Sequence, residues 1–254
     1  MFTIDTVTVI TAATGHGNLA KCLESVQKQT FPNIEHWLVS DGQERLAAVQ
    51  TIHTSHPPTG HPRRLIILPH PTGKDGWCGH RIYAAACFLV NTEFLCFLDE
   101  DNGFGPDHIA SLVAEIRTTQ STWAFALRNI VDESGKFIVK DICESLGNLH
   151  HVFNDKNEHL IDTNCYLLPR EMAVKCAPIW YAPTGHGSSD PDRVMCRTAL
   201  REFPKVCCNR RHTVNYTVGT RGGSSVSAEF FIAGFQAMRM AYPIGMPWET
   251  QLVP

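Results

Sequence analysis

Apolar residues recur with two periods over the first half of the chain, and the two periods alternate. Val7 to Ile10 is a short β-branched run, and Leu19 to Val26 then spaces Leu19, Cys22, Leu23 and Val26 along one face of a helix. Ile34 to Val39 predicts a second strand ending at Ser40-Asp41-Gly42, Leu46 to Ile52 a helix, and Leu65 to Leu68 a third strand closed by Pro69. A helix over Arg81 to Val90 leads to the strand Phe94 to Leu98, and Pro106 to Arg117 is helical with proline in its first turn. Such alternation implies an α/β fold: a mostly parallel, doubly wound sheet with helices on both faces and ligands at the carboxyl ends of its strands.

The second half is less regular. Asp132 to Lys136 predicts a hairpin turn between Ala124 to Val131 and Phe137 to Asp141, and His150 to His159 reads as a polar loop. Thr163 to Leu168 predicts a strand, Pro191 to Phe203 a helix capped by Asp190, Thr213 to Val218 another strand, and Ser225 to Ala241 an amphipathic helix. No linker or internal repeat separates the halves. The expectation is one domain over residues 1–254, irregular beyond residue 128.

Composition narrows the function classes. A formal charge of -3 leaves no basic field of the kind that nucleic-acid binding needs. Ten cysteines without zinc spacing or a disulfide framework point to a reducing, cytoplasmic setting. The opening MFTIDTVTVIT lacks a signal-peptide pattern and reads as the start of the mature chain, while Asn91-Thr92-Glu93 interrupts the longest apolar run, so no membrane span is expected.

Three strand ends carry candidate chemistry. After the first, Gly15-His16-Gly17-Asn18-Leu19-Ala20 satisfies G-x-G-x-x-A, and Asp41 closes the next strand at about the distance of a dinucleotide fingerprint, ~20 residues. That makes an NAD(P)-binding oxidoreductase a competing reading, although no tyrosine supplies the YxxxK general acid of a short-chain dehydrogenase. Asp41 could accept hydrogen bonds from a ribose or a base, or simply make an Asp-Gly turn. The third end, Asp99-Glu100-Asp101, poses an electrostatic problem: two carboxylates 4 Å apart repel by about 4 kcal/mol at an effective dielectric near 20. A solvated turn before Asn102-Gly103 is one solution. The other is a hard divalent cation held by Asp99 and Asp101, which share a side by strand periodicity, with Glu100 pointing away.

Two long blocks resemble family 2 glycosyltransferases: VTVITAATGHGNLAKCLESVQKQTFPNIEHWLVSDG, and DGWCGHRIYAAACFLVNTEFLCFLDEDNGFGPDHIASL with a DxD motif closing its strand. The resemblance implies a GT-A fold, a nucleotide-sugar donor, usually a UDP-sugar, and Mn2+ or Mg2+ bridging DxD and diphosphate. It implies a donor set of Thr11, Ala12, Ala13, Thr14, Asp41, Arg81, Asp99 and Glu100 in the first 128 residues, and a metal set of Asp99, Asp101 and His212. The remaining residues would form the acceptor half. Inverting transfer needs one base to take the acceptor hydroxyl proton. Ser188 to Met195 resembles the family's acid before a helix, which offers Asp192 first and Asp190, also a helix cap, second. Asp162 and Asn164 resemble an acceptor-side segment. Arg210, Arg211 and Arg221 could clamp diphosphate, and Gly222 to Ser225 could form a lid. The acceptor would be a carbohydrate, a lipid-linked or another hydroxyl compound. Phe230, Phe231, Phe235 and Trp248 leave room for peripheral membrane contact or a homodimer. A sugar-nucleotide pyrophosphorylase lacks its Gly-rich loop here, and a non-catalytic carbohydrate-binding protein of this fold is the remaining alternative.

Overall fold

The computed structural model describes residues 6–153, 159–183, 190–219 and 226–250. Strands and helices follow as β1 (Val7–Ala13), α1 (Leu19–Gln27), β2 (Ile34–Ser40), α2 (Leu46–Ser55), β3 (Arg63–Ile67), α3 (His80–Leu89), β4 (Phe94–Phe97), β5 (Gly103–Phe104) and α4 (His108–Thr119). The chain continues through β6 (Trp123–Val131), β7 (Phe137–Lys140), β8 (Tyr166–Pro169), α5 (Arg170–Trp180), α6 (Pro191–Glu202), β9 (Val206–Thr217), α7 (Ala228–Ala241) and α8 (Pro247–Thr250).

Strand order is β3-β2-β1-β4-β8-β6-β9-β5, with β7 paired to β6 off this path. The first four strands are mutually parallel, Ile10 lying opposite both Trp37 and Phe97. Because β2 and β4 flank β1 on opposite sides, the connections that leave their carboxyl ends part there and open a crevice. Beyond β4 the sheet changes character: β8 enters antiparallel to β4 and to β6, while β9 runs parallel to β6. The result is a mixed α/β sheet whose parallel part carries helices on both faces. Both faces of β1 and β4 are buried, as their near-continuous apolar sequences require.

Aromatic packing fixes α3 on the sheet. Tyr83 lies 4.8 Å from Phe97 and Trp180 of α5 lies 5.4 Å from Phe97, centroid to centroid. Gly79 lets the start of α3 approach β1, since a Cβ there would stand 2.8 Å from the Ala12 Cβ.

Three segments depart from expectation. Helix α5 carries Pro178 in its last turn and starts right after Pro169, so its apolar face is disguised as loop. Strand β9 begins at Val206 rather than Thr213, because register shifts against β6 and a left-handed Arg210 (φ 56°) break its alternation. Thr163 to Cys165, expected as strand, is a 3-10 turn. No helix among the described residues is long and apolar enough to cross a membrane.

Candidate active site

The crevice at the ends of β1, β2 and β4 is a cavity of about 590 Å³. Among the described residues its wall carries Asp41, Asp99, Glu100, Asp101, Glu144, Asp190 and Asp192 against one guanidinium, that of Arg193. Such a wall repels a bare diphosphate and attracts a hard cation.

The three consecutive acids do three different things. Asp99 is gripped from both sides: Tyr83 donates its hydroxyl to Oδ1 at 2.5 Å and Asn164 donates Nδ2 to Oδ2 at 2.8 Å. Burial, reinforced by the charge of Asp162, pushes its carboxyl above the ordinary range. Asp101 is pushed up to about 7, by burial first and then by Asp99. Glu100 turns away into the β1–α1 turn, where Oε1 accepts from Thr14 N at 2.9 Å and Thr14 Oγ1 at 2.6 Å. Its Oε2 accepts from the backbone N-H groups of Gly15 and His16, both at 2.9 Å. Asp99 and Asp101 therefore remain as a pair of oxygen donors whose buried charge calls for a cation, and this donor set fits Mn2+ or Mg2+. Among the described residues no three His, Cys, Asp or Glu side chains converge on a metal position.

Other expected donor residues are distributed unevenly. Ala12, Ala13, Thr14 and Asp41 line the cavity. Asp41 already accepts from Thr72 N, Thr72 Oγ1 and Gly73 N, so it organises the 71–79 loop as well as facing the crevice. Thr11 does not reach the wall: it is buried in the core, with its hydroxyl 3.0 Å from His36 Nε2. Arg81 is also absent from the wall. Its guanidinium sits 3.6 Å above the Trp77 ring and 5.6 Å from Tyr181, a cation–π arrangement.

On the other side of the cavity stands Asp192, in the first turn of α6. Thr163 Oγ1 donates to its Oδ1 at 3.1 Å, and His80 Nε2 lies 3.9 Å from the same oxygen. Burial, together with Asp162 and Asp99, raises its carboxyl to about 6, while His80 and Thr163 pull the other way. Asp190 lines the wall at the N-cap of α6, where its carbonyl accepts from Val194 N at 3.0 Å and its side chain does not cap the helix. Asp162 and Asn164 lie behind the wall rather than on it. Asp162 accepts from Arg128 Nη1 at 2.5 Å and from Asn164 Nδ2 at 2.8 Å, so this pair transmits the position of Arg128 to Asp99. His212 likewise does not line the cavity: its Nε2 lies 3.3 Å from the Asp141 carbonyl, and burial lowers its pKa to about 4. Arg210 and Arg211 are exposed on β9, and neither lines the cavity. Arg221 and Gly222 to Ser225 lie outside the described residues.

Residues 8–176 match the sequence model of Glycosyl transferase family 2. The chain belongs to this family. No curated protein matches it in sequence. Among solved structures, residues 1–349 of S. aureus TarS in complex with UDP-GlcNAc are similar at a TM-score of 0.64 and 15% identity, over 92% of this chain and 66% of that one. The mannosyltransferase PcManGT from Pyrobaculum calidifontis, in complex with GDP-Man and Mn2+, is similar at 0.57 and 14%, over 85% and 58%. A further TarS structure is similar at 0.59 and 14%, over 84% of this chain but only 37% of that chain. The family 2 chain thus has the fold of GT-A glycosyltransferases and spans less than two thirds of these relatives' lengths.

Several residues of this family 2 site are silent in sequence. Tyr83 reads as helix core, His80 as a helix start, and Arg128 as the middle of a strand. Arg128 is buried with Asp141, Glu144 and Asp162 around it and Tyr216 4.3 Å below its guanidinium. A lone arginine inside an apolar strand was the available signal, since such a charge requires buried partners.

Proposed function

We propose that the chain transfers a glycosyl group, with inversion, from a nucleotide-sugar donor to a hydroxyl acceptor. The observation that carries this reading is that Asp192 shares one cavity wall with Asp99 and Asp101, which come from the opposite half of the sequence. Asp99 and Asp101 would hold Mn2+ or Mg2+ with the donor diphosphate, and a divalent cation there would offset the charge that develops on the departing oxygens. Ala12, Ala13, Thr14 and Asp41 would receive the nucleoside, uridine being the usual base in the family. Arg81, stacked on Trp77, would reach the diphosphate with the in-plane N-H groups of its guanidinium, and His212 is left out of the metal set. Residues 1–128 would then form the donor half of one domain and residues 129–254 its acceptor half.

Asp192 would take the acceptor hydroxyl proton as the sugar–oxygen bond breaks. Its raised pKa suits a base working near neutrality, and Thr163 holds the carboxylate in place. Asp190 is the second candidate. Asp162 and Asn164, being bound internally, would act on the acceptor side only through the residues they position. The acceptor would be a carbohydrate, a lipid-linked or another hydroxyl compound. Cytoplasmic location accords with ten cysteines of which none forms a disulfide among the described residues.

The dinucleotide reading loses its physical basis at the β1–α1 turn. The N-H groups that would face a pyrophosphate already hold the Glu100 carboxylate. Thermal denaturation with Mn2+ and a panel of nucleoside diphosphates and nucleotide sugars tests the reading. A stabilising shift with UDP or a UDP-sugar that needs Mn2+ and vanishes in Asp101→Ala is expected. No shift with any nucleotide sugar would overturn it. Donor binding without hydrolysis or transfer, with Asp192 intact, would favour a non-catalytic binding protein.

A further inference from the structure

We propose that Glu100 is a built-in anion: its carboxylate fills a backbone nest in the β1–α1 turn and thereby positions the donor-side loop. Three successive N-H groups, those of Thr14, Gly15 and His16, converge on it, and the Thr14 hydroxyl adds a fourth donor at 2.6 Å. A concavity of consecutive N-H groups around a positive-φ residue is an anion-binding geometry. Here the residue is Gly15, at φ 86°, and a Cβ on it would stand 2.6 Å from the Ala48 Cβ. The turn is therefore fixed on one side by α2 and on the other by a charge from the loop after β4. Doubly wound folds commonly use this position, between the first strand and first helix, for a phosphate of the ligand. In this chain the phosphate's place is taken by a side chain 84 to 86 residues further along.

Two consequences follow for the cavity. Ala13, Thr14 and His16 line it, so the carboxylate that ties down Thr14 to His16 also sets that part of the wall. With the nest satisfied internally, an incoming diphosphate is left to the Asp99 and Asp101 side. Glu100 is thus a positioning residue, since it holds the loop rather than the donor. Only this second consequence rests on the nucleotide-sugar reading; the nest and its occupant do not.

The test is replacement of the missing anion. Glu100→Ala empties the nest, and the loss of four charge-assisted hydrogen bonds should lower Tm by roughly 5–10 °C. Sodium formate or acetate should restore Tm in a saturable way that sodium chloride of equal ionic strength does not, and should leave the unsubstituted protein unmoved. In assays with Mn2+ and donor, the variant should show at least about a tenfold rise in donor KM with a smaller change in kcat, a split that uniform loss of ground-state binding produces, and formate should reverse it. Glu100→Gln keeps the shape but aims an NH2 at N-H groups, so it should be impaired and resist formate. A Glu100→Gln protein with unchanged Tm would overturn the proposal. So would a Glu100→Ala protein that matches the original, or an impaired one that no small carboxylate restores. Because the stability arm contains neither metal nor nucleotide, its rescue would survive failure of the glycosyltransferase reading. Glu100→Gln carries the test if Glu100→Ala does not fold.

Discussion

Asn164 holds Asp99 with both ends of its amide: Oδ1 accepts the Asp99 backbone N-H at 2.7 Å, and Nδ2 donates to the Asp99 carboxylate at 2.8 Å. The same Nδ2 reaches Asp162, which Arg128 holds in turn. The carboxyl end of β4 is therefore set by a residue from a different part of the chain. Asn164→Ala would leave the part-buried N-H and carboxylate of Asp99 short of partners, at a cost of about 1–3 kcal/mol per group. Chemical denaturation should show that loss. The Mn2+-dependent shift with nucleotide should weaken in the same variant, and an undiminished shift would separate Asn164 from donor binding.

Asp192, with a pKa raised to about 6 by burial, is a base whose ionised fraction grows as pH rises. Its contribution to catalysis is lost on acidification, so kcat/KM should climb with pH and level off above about pH 6. Asp192→Asn should lower kcat by about 10² to 10⁴ and abolish that limb. Asp190→Asn should retain it. His80→Gln should move the limb to higher pH, because His80, 3.9 Å away, lowers the Asp192 pKa. A limb that persists in Asp192→Asn would assign it to another group.

Asp41 and Asp99 could be placed at the crevice from sequence because both stand at the carboxyl ends of strands in the parallel part of the sheet, whereas Thr11 and Arg81, expected beside them, lie off its wall. Asp41 and Asp99 each follow an apolar run, and β-periodicity alone separates Glu100 from its neighbours. What Glu100 does was not legible, since its partners lie 84 to 86 residues earlier and are backbone groups of a turn. Helix α5 was hidden by prolines at 169 and 178, although the latter falls where a helix is ending anyway. His212 was attractive as a metal ligand through the family resemblance, but on β9, whose register against β6 shifts beside it, its ring faces the Asp141 carbonyl. Asp162 reads as acceptor-facing from its place before a strand. In the fold it belongs to a buried arginine whose partners sequence spacing does not reveal.

Arg128 stands between three carboxylates, accepting none of the cost alone: Asp141 at 2.7 Å, Asp162 at 2.5 Å, and Glu144 in close contact. Although burial opposes its charge, Asp162, Asp141 and Glu144 hold it protonated far above its ordinary pKa. Removing one partner of a buried charge group costs about 3–5 kcal/mol, because the others are left uncompensated. Arg128→Met should therefore destabilise by at least that amount. Arg128→Lys should recover only part, since an ammonium cannot present the planar fork that meets three carboxylates at once. Urea midpoints of the two variants give the comparison, and near-equal midpoints would mean that charge alone, without fork geometry, sustains the cluster.

His36 and His108 are fully buried neutral rings, each held at a pKa of about 3 by desolvation. His36 bonds Thr11 through Nε2 and leaves Nδ1 without a hydrogen-bond partner, while His108 bonds Thr213 and stacks on Phe104 at 4.0 Å. Neither environment can accept a proton cheaply. In the unfolded chain both rings titrate near 6.5, so from there down to about pH 3 the unfolded state binds protons that the folded state refuses. Each ring should then cost about 1.4 kcal/mol of stability per pH unit on acidification, with its full contribution present above pH 6.5. Buried acids with raised pKa values, Asp192 and Glu144 among them, act in the opposite sense over part of this range. The diagnostic quantity is therefore a difference: the slope of unfolding free energy against pH, between pH 6 and 4, for the original protein minus that for His108→Asn or His36→Asn. Each substitution should flatten the slope by about 1.4 kcal/mol per pH unit even as it lowers stability at pH 7. An unchanged slope would mean that the ring is protonated in the folded state and that a nearby acid, rather than desolvation, governs it.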